Sequence, residues 1–296
     1  MLTMQTSGVV NVFKEKGKSS RFYTNKVKHL SKMKTGHIGT LDPMAFGVLP
    51  IAVGEATKFI DFLDFDKKAY IYRIIFGKTT ETLDAEGEFT DEEAWDFEKS
   101  DLLRVLDEVE GAYEQVPPKY SAKKINGVPM YKLARENIDI DTASRAKTVQ
   151  IYKNRLLKFN KEKSYAIVMS DVSTGTYIRT LAFDIAQKLG TISYIDYLMR
   201  YYSGPLKIDE AICIDDMEED DLIPVDTLID LPVLKLHEKR FKAVQNGMNS
   251  YVNDAYNEEY YKVYCADKFC GVGYVKKDDS GRKNIYMKKV YKYEDN

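Results

Sequence analysis

Lys34-Thr35-Gly36-His37-Ile38-Gly39-Thr40-Leu41-Asp42-Pro43-Met44-Ala45-Phe46-Gly47-Val48-Leu49-Pro50 is the most informative stretch of this chain. It sets a single carboxylate, Asp42, in a glycine-rich loop near a histidine and just ahead of an apolar run. Gly36, Gly39 and Gly47 allow close backbone approach and positive φ, which a loop that wraps a ligand often needs. The local spacing supports two readings equally. Asp42 is a nucleophile or base, or Asp42-Pro43 is a helix N-cap followed by proline at the first helical position.

Working outward, residues 8–13 are short, apolar and mostly β-branched, and predict a first strand. Residues 20–33 carry Phe22, Val27 and Leu30 at amphipathic spacing and predict a helix. The apolar residues 44–62 predict a helix plus a buried connection. Residues 69–76, Ala-Tyr-Ile-Tyr-Arg-Ile-Ile-Phe, predict a strand, and residues 82–88 a polar loop. Residues 102–110 predict a short helix closed by Gly111, residues 165–170 a buried strand, and residues 177–189 a helix ending before Gly190. Strands and helices mix without regular βαβ alternation, which predicts an α+β domain around a mixed sheet. Pro224 and Pro232 bracket a boundary. Beyond it, residues 260–265, 269–275 and 284–288 predict short strands of a small β-barrel, with a turn at 277–282.

A length of 296 residues with 44% hydrophobic and 30% charged residues excludes a disordered chain and allows one large domain or two. No apolar run approaches the ~20 residues of a membrane helix, and the first ten residues do not read as a leader. Cys213, Cys265 and Cys270 suit a reducing, cytoplasmic setting and lack a zinc spacing. The acidic run at 215–221 reads as a solvated turn, and no metal is expected. The net charge of −2 hides an uneven distribution. Residues 1–60 hold nine Lys/Arg against three Asp/Glu, and residues 119–147 hold seven against three. Residues 206–230 hold one against ten. Two basic segments of this kind attract phosphate, although each alone also reads as a solvated face.

Gly36-His37-Ile38-Gly39-Thr40-Leu41-Asp42-Pro43, then Gly47-Val48-Leu49-Pro50-Ile51 and Gly54-Glu55-Ala56-Thr57-Lys58, resemble the signature of the bacterial TruB family of tRNA pseudouridine synthases. Four further segments follow in the family's order. They are Lys67-Lys68-Ala69-Tyr70, Pro118-Lys119-Tyr120-Ser121-Ala122-Lys123-Lys124, Gly175-Thr176-Tyr177-Ile178-Arg179-Thr180, and Tyr197-Leu198-Met199-Arg200. The resemblance covers roughly residues 10–230. It implies a catalytic domain over residues 1–232 and, more weakly, an RNA-binding PUA-like module over residues 233–296, with Gly247 following a short helix.

The resemblance also implies the chemistry: uridine 55 in the T-loop of tRNA is isomerised to pseudouridine by a cytoplasmic enzyme without a cofactor. It assigns Asp42 as the catalytic aspartate, Arg179 as its partner and Tyr70 as the active-site tyrosine. Tyr177 and Leu198 line the uracil pocket, and His37 probes the T-loop stack. Each has a plainer reading: a surface helix arginine, a strand core tyrosine, ordinary packing. An opposing fixed charge favours the ionised carboxylate. The basic stretch at about 119–147, with Lys123, Lys124, Lys132 and Arg135, resembles an RNA-clamping insertion. Lys14 belongs with the RNA-binding residues, but Lys14-Glu15-Lys16-Gly17 puts glutamate where the family usually has proline. The expected partner is the tRNA T-stem-loop, with no membrane, and the expected state is a monomer. The runner-up is an RNA-folding chaperone with the same surface and little turnover. A carboxylate hydrolase lacks the second acid that glycoside cleavage usually requires.

Overall fold

The computed structural model describes residues 7–121, 124–125, 127–136, 138 and 141–293. A nine-stranded mixed sheet forms its centre. The hydrogen-bonded path runs Gly8–Lys14, Phe46–Val53, Ser193–Ser203, Lys67–Phe76, Tyr165–Ser173, Lys147–Asn160, Gly111–Gln115. Thr35–His37 pairs on Phe46–Val53, and Leu206–Lys207 on Ser193–Ser203. Every pairing is antiparallel except that of Phe46–Val53 with Ser193–Ser203.

Alternation explains the central strand. In Lys67–Phe76, Tyr72, Ile74 and Phe76 turn one way and are buried against Leu181, Ala182 and Ile185 of the helix Ile178–Lys188. The helix Lys99–Glu108 covers the same apolar cluster through Leu102, Val105 and Leu106. At the other end of the sheet, Tyr23 and Val27 of the helix Ser20–Ser31 pack on Val10, Val12, Leu49 and Ile51.

The apolar stretch after Asp42 is not a helix. It forms the strand Phe46–Val53, followed by a 3-10 helix, Gly54–Phe62. The run is buried almost throughout, flanked by partners on both edges, so it carries no polar face to mark a period. Its contact with Ser193–Ser203 is short, Met199 facing Phe46 and Arg200 facing Gly47. Gly47 has φ +106, and a Cβ there would stand 2.4 Å from the Arg200 carbonyl oxygen, so only glycine lets the two strands meet.

The C-terminal strands form a second sheet in the order Val233–Leu236, Tyr260–Cys265, Lys268–Lys277, Lys283–Val290, Ser250–Tyr251. Leu234, Val244, Val263, Val275 and Ile285 make a core of its own. It is also joined to the first sheet: Phe269 and Val272 share a cluster with Val9, Ala52 and Phe59, and the Phe59 and Phe269 rings lie 5.5 Å apart. The Tyr264 hydroxyl donates to Asp226 at 2.7 Å. Among the described residues no helix is long and apolar enough to cross a membrane.

Candidate active site

Asp42 sits in a turn rather than at a helix start: the Ala45 amide donates to its carbonyl at 3.1 Å, and the chain then enters a strand. The N-cap reading fails because no helix follows. The loop is held by its backbone. The Ser20 hydroxyl donates to the Leu41 carbonyl at 3.0 Å and accepts from the Leu41 amide at 2.9 Å. The Gly17 amide donates to the Pro43 carbonyl at 2.7 Å.

Lys14 completes that support. It is fully buried, and its ammonium donates to the carbonyls of Glu15 at 3.0 Å, Pro43 at 3.2 Å and Ala45 at 2.5 Å. Burial pushes its pKa down to about 8, against the opposing pull of Asp42 and Glu86. The expectation that Lys14 contacts RNA is corrected: its only charged atom is spent on the underside of the Asp42 turn. Glu15, in the proline's usual place, ties the adjoining turn by other means. Its amide donates to the Tyr23 hydroxyl at 2.9 Å, and its carboxylate receives Tyr23 at 3.2 Å and Lys18 at 3.0 Å.

Arg179 lies in the first turn of Ile178–Lys188 and is buried, not a surface helix residue. Its Nε stands 3.0 Å from Oδ2 of Asp42 and its Nη1 3.5 Å from Oδ2 of Asp84. Nη1 also donates to the Thr82 carbonyl at 2.8 Å and Nη2 to the Tyr120 carbonyl at 3.0 Å. Four fixed acceptors leave the guanidinium one orientation, with Nε presented to Asp42. Asp84 is fixed in turn, its Oδ1 accepting from the Thr82 hydroxyl at 2.7 Å and the Glu86 amide at 3.0 Å. Sequence reasoning passed over Asp84, reading residues 82–88 only as a polar loop. The Thr82-Leu83-Asp84 spacing was the available signal, since an acid beside a hydroxyl suits a locked side chain.

Two cavities meet at Asp42. One, of about 290 Å³, is lined by Tyr70, Tyr177, Leu198, Lys68, Thr174 and Arg179 besides Asp42. The other, of about 510 Å³, is lined by His37, Arg21, Glu86, Tyr120, Ser121 and Arg179 with Asp42 again. Tyr70 and Leu198, neighbouring-strand residues, are both buried on the first cavity's wall. Tyr177 is held by Gln115, which accepts from its amide at 2.7 Å and donates to its carbonyl at 3.0 Å. No local pattern singles out Gln115, which lies 62 positions away.

His37 ends the strand Thr35–His37, with its ring nitrogens 3.3 Å from the Thr24 hydroxyl and 3.0 Å from that of Thr40. Burial, then the charge of Arg200, lowers its pKa, which favours the neutral ring. Glu86 is pushed the other way, its pKa raised by burial and by Asp84 and Asp42. Within the basic segment, Lys132 is exposed on the helix Met130–Arg135. Lys123 lies outside the described residues, as do the side chains of Lys124 and Arg135. Among the described residues no group of three or more His, Cys, Asp or Glu could hold a metal.

The solved structures similar to this chain share its fold. A Cbf5-Nop10-Gar1 complex matches at a TM-score of 0.70 and 22% identity, covering 96% of this chain and 85% of that one. A chain of an H/ACA RNP bound to a substrate RNA containing 2'-deoxyuridine matches at 0.69 and 20%, with the same coverages. A family model described as TruB family pseudouridylate synthase (N terminal domain) matches residues 27–178. The class is therefore that of the pseudouridylate synthases. The tRNA pseudouridine synthase B of Clostridium perfringens (strain SM101 / Type A) is 36% identical over 291 residues, covering 94% of this chain and 97% of that protein. The one from Mycoplasma mobile is 35% identical over 276 residues, covering 93% and 92%. The chain belongs to the TruB family.

Proposed function

We propose that this chain isomerises uridine 55 in the T-loop of tRNA to pseudouridine. The observation that carries the reading is the Asp42–Arg179 contact at the junction of two cavities, in a chain of the TruB family. The reaction breaks the bond from uracil N1 to the ribose, turns the base, joins C5 to the same sugar carbon, and releases the C5 hydrogen as a proton while N1 takes up one. Atoms and electrons balance without a redox partner, so the chemistry calls for no cofactor.

Asp42 is the catalytic carboxylate, and Arg179 holds it in place through the contact at 3.0 Å. The smaller cavity is the uracil site, with Tyr70, Tyr177 and Leu198 around the base. A base stacked inside a folded T-loop must be flipped out to enter it. The larger cavity receives the neighbouring nucleotides, with His37 stacking on an unpaired base. The basic stretch at 119–147 closes over the RNA. Its support is that Tyr120 and Ser121, at its start, line the larger cavity, while the Tyr120 carbonyl bonds Arg179. Residues 1–232 form the catalytic unit and residues 233–296 a PUA-like RNA-binding unit, in line with the separate core of the latter. A monomer acting in the cytoplasm completes the reading.

The test is tritium release from C5-labelled uridine in a T-stem-loop RNA. Release at position 55 supports isomerisation. Tight binding without release overturns it in favour of the chaperone.

A further inference from the structure

Two buried cations of the motif segments, Lys68 and Arg200, have no role in the reaction. Both are buried, Arg200 completely and Lys68 to 6% exposure. Arg200 donates Nε to the Val48 carbonyl at 2.7 Å and Nη2 to the Gly39 carbonyl at 3.2 Å, while its buried Nη1 has no hydrogen-bond partner among the described residues. Lys68 donates to the Thr174 hydroxyl at 2.9 Å. Among the described residues neither cation forms an ion pair with a carboxylate, whereas Asp42 already has Arg179.

The two converge on one spot. A Cβ on Gly39 would stand 3.0 Å from Lys68 Nζ and 3.5 Å from Arg200 Nη1. Gly39, Lys68 and Thr174 share a wall of the smaller cavity with Gly175 and Thr176. Two like charges in a desolvated site repel each other, and the acceptors that the described residues supply are neutral. Burial and then the Arg200 charge push Lys68 down to about 8, offset only in part by Asp66. An incoming full negative charge relieves both costs. A neutral uracil carbonyl would leave the repulsion standing.

We propose that Lys68, backed by the buried Arg200, receives a backbone phosphate flanking the flipped uridine, so that the cavity grips the nucleotide by its phosphate as well as its base. This rests on the RNA-modifying reading above. Lys68 makes the contact, and Arg200 is a positioning residue that raises the local potential. Thr174 adds a hydroxyl on the same wall.

The test uses T-stem-loop RNAs with a methylphosphonate, which is uncharged, at each of the two phosphates flanking the target uridine in turn. With the wild-type protein, one of these should weaken Kd and kcat/KM by about tenfold, the scale of a lost charge-assisted hydrogen bond. Lys68→Met should weaken native RNA by a similar factor and suffer no further loss from the methylphosphonate. Lys68→Arg should keep the discrimination. Wild-type indifference to both methylphosphonates overturns the proposal, and this arm needs no variant to fold. Equal discrimination by Lys68→Met and wild type also overturns it and moves Lys68 to another atom, such as a uracil carbonyl. Binding that senses the phosphate with no tritium release from native RNA would sink the isomerase reading alone. Turnover without phosphate sensitivity would sink this one alone.

Discussion

Arg179 faces Asp42 through Nε at 3.0 Å while Nη1 is engaged by Asp84 and by the Thr82 carbonyl. The pair is asymmetric: the Arg179 side chain is 4% exposed and that of Asp42 38%. The cation is part of the buried frame and the carboxylate looks out into the cavities. A rigid charge beside a partly open carboxylate is suited to holding a reactive group in place without blocking it.

Asp42→Asn keeps size and turn geometry but removes the charge. Turnover should fall by about three orders of magnitude or more, with RNA affinity and thermal stability close to wild type. Tritium release beside a binding titration measures both. Activity near wild type would take Asp42 out of the mechanism.

Arg179→Ala should cost both rate and stability. The rate should drop about 10²–10³-fold, as for loss of a fixed charge at a reacting centre. Stability should drop by about 3 kcal/mol, because buried Asp84 loses its counter-charge. Arg179→Lys restores the charge but not the fork of donors, and should recover stability in part and rate poorly. Urea unfolding with single-turnover assays separates the two effects. Equal recovery of both by lysine would argue against the fork.

Lys14→Met removes the ammonium from which the carbonyls of Glu15, Pro43 and Ala45 accept, leaving Pro43 with the Gly17 amide. Stability should fall by about 1–3 kcal/mol at neutral pH. The pH dependence has a defined sign. With the folded-state pKa lowered to about 8, between there and the ordinary lysine value near 10.5 the unfolded chain binds the proton and the folded chain does not. Wild-type stability should therefore rise with pH across that window through this group. Lys14→Met should lack that contribution. Unfolding curves of both proteins at pH 7 to 10 test it, and parallel curves would refute it.

His37 has its pKa lowered by burial, so RNA affinity should show no step near pH 7 or above on account of this ring. His37→Phe retains a stacking face and should weaken binding less than His37→Ala. A step near pH 7 in affinity, lost in both variants, would contradict a neutral stacking role.

Replacing Lys123, Lys124, Lys132 and Arg135 together by alanine should weaken RNA binding irrespective of sequence. Each lost phosphate contact should make the logarithmic salt slope shallower by about 0.7, or nearer 0.9 for duplex-like charge density. Turnover of bound RNA should barely change. An unaltered slope would reduce the stretch to a solvated face and place the grip in other basic residues.

Sequence patterns located the strands Lys67–Phe76 and Tyr165–Ser173 and the helices Ser20–Ser31 and Ile178–Lys188, because each has one buried and one wetter face, whereas Gly8–Lys14, buried nearly throughout, was marked by its short β-branched run. They missed Phe46–Val53, whose burial on both faces erases the period that separates strand from helix. They also put Lys14 on the RNA. A lysine in a basic turn looks exposed until the fold lays the Asp42 turn over it.

By itself, then, the sequence determined the motif residues and their order: Asp42 in its glycine loop, Tyr70 on its strand, and Arg179 at the start of its helix. These are local matters of residue type and spacing. Only the tertiary structure decided which charges meet. Arg179 reaches across 137 positions to Asp42 and across 95 to Asp84. Lys68 and Arg200 converge beside Gly39 with no ion-paired carboxylate among the described residues, and Gln115 clamps Tyr177. Charge interactions act through space and depend on burial, and both are set by strands that pair far apart along the chain.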